Sequence, residues 1–176
     1  MKIAVFCSAN SNISPVYFDK TEELGRWCAK NGHSIVFGGC DMGLMDCVAR
    51  AAYEEGGTTI GVVPSKIEEN GHVSQYLSVE IPCDNLSDRK DLMVSRSDIV
   101  VALPGGLGTL DEIFTVVAAA TIGYHRKKVV LYNIDGFWDS LISLLDDLQR
   151  RGMVRGDYRE HIVVAESLDD IKPLLQ

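Results

Sequence analysis

Residues 98–123 read DIVVALPGGLGTLDEIFTVVAAATIG, and the order of residue types in that stretch decides the fold. The run DIVVALP (98–104) is short, β-branched and uncharged after its first residue, the composition of a strand buried on both faces. A Pro-Gly-Gly-Leu-Gly turn ends it. A helical pattern then spans 109–124, and from Ile113 onward it has no polar face. Strand, glycine turn and helix in that order form part of a βαβ unit, which belongs to a parallel sheet.

The same alternation extends in both directions. Strands are predicted at 2–8, 34–39, 59–64, 77–82, 128–133 and 161–166, with 98–104 the fifth of seven. The first helix starts with Ser14 as N-cap and Pro15 at its first position and stops at Gly32; others are predicted at 43–55, 87–96, 137–151 and 168–175. In the helix at 137–151, Phe137, Leu141, Leu144, Leu145 and Leu148 form one apolar stripe, and Gly152 closes it. With 176 residues, 46% of them hydrophobic, the chain can bury one core and is too short for two ordinary domains. The fold expected over 1–176 is therefore a single-domain, Rossmann-like α/β fold, with about seven mainly parallel strands and helices on both faces of the sheet.

The net charge of -8 argues against non-specific binding to nucleic acid or to an anionic membrane. An anionic substrate would need positive charge concentrated in one place. No apolar run approaches the length of a membrane span, and the apolar part of MKIAVFCSAN is too short for a signal-peptide core, so a cytoplasmic protein is expected. The five cysteines lack C-x-x-C spacing and fit neither a disulfide framework nor a zinc site; no metal or cofactor is expected. Cys7 and Cys40 fall near strand ends, where a thiol is either reactive or simply buried.

Two segments bear on partners. The helix after Glu112 is apolar all round and must be buried all round, either by a second subunit, giving a homodimer, or by neighbouring helices of its own chain. The polar segment 65–76, SKIEENGHVSQY, reads as a surface loop or a lid.

In open parallel sheets, ligands bind beyond the carboxyl ends of the strands. Three turns there are rich in small residues: CSANSN with Ser8, GGCDMG with Gly39, and PGGLGTLDE with Gly105, Gly106 and Gly108. Each feeds a helix whose N-terminus attracts an anion. The dinucleotide fingerprint and the phosphate-loop motif G-x-x-x-x-G-K-[ST] are both absent, which disfavours NAD and nucleoside triphosphates and leaves a monophosphate. Thr109 and Glu112 match a capping box, so Glu112 is either a cap or a reacting carboxylate. Arg89 and Lys90 occupy the first turn of a helix capped by Ser87, where positive charge opposes the helix dipole. They are either solvated cations or the grip on an anion.

With PGGLGTLDE and RKDLM both placed, the chain resembles the Lonely Guy family, whose members carry P-G-G-x-G-T-x-x-E together with R-K-x-x-M. The resemblance extends to VFCSANSNISPVYF, VFGGCDMGLMDCVARAA and GYHRKKVVLYNIDGFWDSLI. It implies a hydrolase that cleaves the N-glycosidic bond of an adenine-type nucleoside 5'-monophosphate, AMP or an N6-modified cytokinin nucleotide, releasing base and ribose 5-phosphate. It further implies Arg89 and Glu112 as the catalytic pair, with Lys90, Gly105, Gly106, Gly108, Thr109 and Asp111 around the nucleotide. Met93 of the same motif, Ser8 and Gly39 join the substrate-binding set. The chain departs from the family pattern at Leu86 and Ser87, and at Ala119, Ala120 and Thr121, where many members have Trp-Ala-Gln. The alternative is a nucleotide- or phosphate-binding protein without turnover. A lysine decarboxylase, the label often given to such chains, finds no lysine in a recognisable pyridoxal phosphate setting.

Overall fold

The computed structural model describes all 176 residues. Seven strands, β1 (Lys2–Phe6), β2 (Ser34–Phe37), β3 (Thr59–Pro64), β4 (Val79–Cys83), β5 (Ile99–Ala102), β6 (Val129–Tyr132) and β7 (Ile162–Ala165), form one sheet in the order β4-β3-β2-β1-β5-β6-β7. Every pairing is parallel. The order reverses between β1 and β5, which pair from Ile3 with Ile99 to Phe6 with Ala102. At such a switch point the connections leave in opposite directions and a crevice opens.

The period-2 alternation of the strands divides the interior into two cores. Ile3, Val5, Ile35, Phe37 and Val101 face helices α1 (Pro15–Lys30), α2 (Gly43–Glu54) and α7 (Leu168–Ile171). Ala4, Phe6, Val36, Val100 and Ala102 face α4 (Leu86–Ser95), α5 (Leu107–Thr121) and α6 (Asp139–Arg150). No helix is long and apolar enough to cross a membrane.

Several boundaries differ from expectation. Ser14 occupies the cap position of α1, but its side chain makes no capping bond. Asn85, not Ser87, caps α4: its Oδ1 accepts from the Ser87 and Asp88 N–H groups at 2.9 and 3.0 Å, so the helix starts one residue earlier. Trp138 replaces Leu144 in the buried stripe beside α6, and Leu144 is exposed. The segment 65–76 is not wholly a loop, because it opens with the short α3 (Ser65–Glu69) and is strapped to the β2 turn. Asp41 N–H donates to His72 O, Ser74 N–H donates to Gly39 O, and Cys40 bridges Val73.

α5 leaves its outer side open within the single chain. Its inner face is buried at Ile113, Val116 and Ala120. On its outer side Phe114 is exposed, and Ile122, just past the helix end, is 71% exposed, so no neighbouring helix of the same chain covers them.

Candidate active site

Three turns at the switch point build a cleft of about 280 Å³. The β1 turn supplies Cys7, Ser8 and Ala9; α2 supplies Met45; α4 supplies Arg89; the turn after β5 supplies Gly106; and α5 supplies Gly108, Thr109 and Glu112. The turns are tied by backbone. Ser8 N–H donates to Pro104 O at 3.0 Å, joining the β1 and β5 ends, and Leu44 N–H donates to Ser8 O at 2.9 Å, joining α2 to them. Gly43 (φ 58°) permits that approach, since a Cβ there would stand 2.5 Å from the Ala9 carbonyl carbon.

The glycine turn works differently from a capping box. α5 begins at Leu107 with Gly106 as N-cap, and no side chain caps it. Thr109 is therefore already in the first turn, and Glu112 is one turn too far along to reach back. Thr109 is buried instead, with its Oγ1 against Gly105; a Cβ at that glycine would come within 2.0 Å. Gly106 and Gly108 meet the opposite condition, because a Cβ on either would enter open space. The first-turn N–H groups of α5 have no helical carbonyl to bond and lie beside those two glycines, a geometry suited to a phosphate.

Glu112 is 5% exposed and pairs with Arg89, Nη2 to Oε1, at 3.3 Å. Burial raises the carboxyl to about 7, against the opposing pull of the Arg89 guanidinium; Asp111 adds to the rise and Lys90 offsets it. Arg89 is itself nearly enclosed, and its Nε is a buried donor without an acceptor. A guanidinium whose one side-chain bond is long, with its other N–H groups unspent, is equipped to take an oxygen from a ligand.

Of the other sequence-predicted residues, Lys90 and Asp111 bind each other at 2.8 and 3.0 Å on the outer side of α4 and α5. Asp111 is thus turned away from Glu112. Gly105 lies behind the cleft against Thr109, Gly39 sits in the β2 turn with its carbonyl taken by Ser74, and Met93 is fully buried in the core beneath α4. All five cysteines are buried and free. Burial and Glu112 push the Cys7 thiol well above its ordinary range, and burial raises the Cys40 thiol too, which disfavours a thiolate at either. Met45 was missed by sequence reasoning, and its one signal was its place in the GGCDMGLM turn. Ala119 lines a separate cleft of about 370 Å³ between α4 and α5.

Known proteins resemble this chain along nearly its whole length. The sequence model of a family described as "Possible lysine decarboxylase" matches residues 45–175. Cytokinin riboside 5'-monophosphate phosphoribohydrolase LOG5 of Arabidopsis thaliana is 33% identical, over 99% of this chain and 75% of its own. A probable enzyme of the same name, LOGL9 of Oryza sativa subsp. japonica, is 35% identical over 93% of this chain and 72% of its own. Among solved structures, that of TM1055 is 27% identical with a TM-score of 0.73, covering 99% of this chain and 97% of that one. The molybdenum cofactor carrier protein of Chlamydomonas reinhardtii is 25% identical with a TM-score of 0.72, covering 99% of this chain and 94% of that one.

Proposed function

Because this chain belongs to the Lonely Guy family of nucleotide phosphoribohydrolases, we propose that its cleft hydrolyses the N-glycosidic bond of an adenine-type nucleoside 5'-monophosphate, releasing free base and ribose 5-phosphate. The observation that carries this reading is the buried Glu112–Arg89 pair facing a glycine-walled helix N-terminus. The 5'-phosphate sits against the α5 N-terminus beside Gly106 and Gly108, which places the ribose over Glu112. As the C1'–N bond breaks, its electrons leave with the base and positive charge builds on the sugar. The Glu112 carboxylate stabilises that charge and takes a proton from the water that adds to C1'. The departing base nitrogen is protonated in turn, so the water's two hydrogens end on sugar and base. Arg89 holds Glu112 and turns its guanidinium N–H groups to the substrate.

The same reading extends to assembly. Leu107, Phe114, Ile122 and Tyr124 leave an apolar strip along α5 and the turn after it, and the occupant it suits is the same strip of a second copy. A carrier without turnover is the second reading, and likeness to the Chlamydomonas carrier favours it. Incubation with AMP and with isopentenyl-AMP, assayed for free base and ribose 5-phosphate, separates the two. The enzyme reading expects release from at least one nucleotide and loss of on the order of 100-fold or more in Glu112→Ala and Arg89→Ala. Tight binding of a monophosphate without release would establish the carrier.

A further inference from the structure

Gly38 and Gly39 adjoin in the β2 turn, but they are glycines for different reasons. Gly39 has φ 73°, and a Cβ there would stand 2.5 Å from Val63 Cγ2, so the backbone and the core both require it. Gly38 is not in the left-handed region. The three atoms nearest to a Cβ on it would all belong to side chains: Arg89 Nη1 at 3.0 Å, Met45 Sδ at 3.2 Å and Arg89 Cζ at 3.5 Å. The bare face of this buried residue is therefore the seat on which the Arg89 guanidinium lies, with the Met45 thioether beside it.

We propose that Gly38 is a positioning residue for the reaction: by carrying no side chain it sets where the Arg89 guanidinium lies, and through it the contact with Glu112. The inference rests on reading Arg89 and Glu112 as the reacting pair. Their single bond, at 3.3 Å, is already near the limit of hydrogen-bond length, so a displacement of a few tenths of an ångström breaks it. The charged groups around Glu112 are Arg89, Lys90 and Asp111, with the neutral Cys7 thiol also near it; among the cations only Arg89 both bonds it and touches Gly38.

The test compares wild type with Gly38→Ala, Arg89→Lys and the double variant. The first readout is the titration of the Glu112 carboxyl in the free protein, followed by carbon NMR of glutamate-labelled samples; the second is steady-state kinetics on whichever monophosphate the wild type hydrolyses. Gly38→Ala is expected to keep the wild-type Tm, to move the Glu112 titration upward, and to lower kcat about tenfold with KM within about twofold. In the Arg89→Lys background, where no Nη1 exists to be displaced, Gly38→Ala is expected to change neither readout further. A Glu112 titration and kcat equal to wild type in Gly38→Ala, or losses of the same size in both backgrounds, would overturn the proposal. Should no nucleotide be hydrolysed at all, the proposed function fails, and the NMR titration still decides the placement of Arg89.

Discussion

Glu112 combines two demands that ordinarily conflict. A carboxylate that stabilises positive charge must be ionised, and one that works in a dry cleft is pushed toward its neutral form. The structure sets the balance near neutrality, with burial raising the carboxyl to about 7 while Arg89 restrains the rise. Since the ionised form is the active one, kcat/KM is expected to climb between pH 5.5 and 8 with a midpoint about 7, measured as a pH profile on a monophosphate. A profile flat over that range would show that the ionisation of Glu112 does not control turnover. Glu112→Gln removes the charge and keeps the shape, so it should lose nearly as much activity as Glu112→Ala.

At the scale of elements, α5 does two jobs with two faces. Its buried side anchors Thr109, Glu112, Ile113 and Val116 against the sheet, and its outer side leaves Phe114 open, with Leu107 at one end and Ile122 and Tyr124 at the other. A charge at Phe114 costs little in a monomer that leaves it partly open, and much in an assembly that buries it. Phe114→Asp is therefore expected to convert a dimer to a monomer by light scattering at micromolar concentration. A wild type that is itself monomeric there would remove this reading of the strip. The α4 cap shows the complementary lesson: Asn85 fixes the first turn of α4 with two bonds, and that turn delivers Arg89 to the cleft.

For the whole molecule, the raised Glu112 carboxyl is a stability term with a definite sign. Below the unfolded-state value, about 4.3, both folded and unfolded chains hold the proton; between there and about 7 only the folded chain does, and the contribution falls as pH rises. Glu112→Gln lacks that loss. Its unfolding free energy relative to wild type is expected to improve by roughly 2 kcal/mol from pH 5 to pH 8, measured by denaturant melts at both pH values. An unchanged difference would mean that the carboxyl is not buried as described.

The sequence carried the architecture well, because strand and helix periods are local. All seven strands and the six long-predicted helices exist, and the glycine turns converge as their position at strand ends implies. It carried caps and seats poorly. Whether α5 starts at Leu107 or at Thr109 depends on how Thr109 packs against Gly105, and whether Gly38 matters depends on Arg89, which lies about 50 residues later in the chain. Composition likewise says that the outer face of α5 is apolar but not what lies over it, which is why the sequence alone leaves a second subunit and neighbouring helices as alternatives.

The strand order has a consequence for how the chain is made. β1 lies in the middle of the sheet, yet its β5 side is closed by a strand that begins only at Ile99. At roughly 5 to 20 residues per second, the ribosome leaves that side of β1 without its partner for on the order of 5 to 20 s. One outer edge, β4, has Glu80 and Pro82 to discourage stray pairing, whereas β1 offers the uninterrupted run Ile-Ala-Val-Phe. The open side of β1 is therefore a hazard of synthesis, and it comes from the same long excursion that sets the crevice at the centre of the sheet.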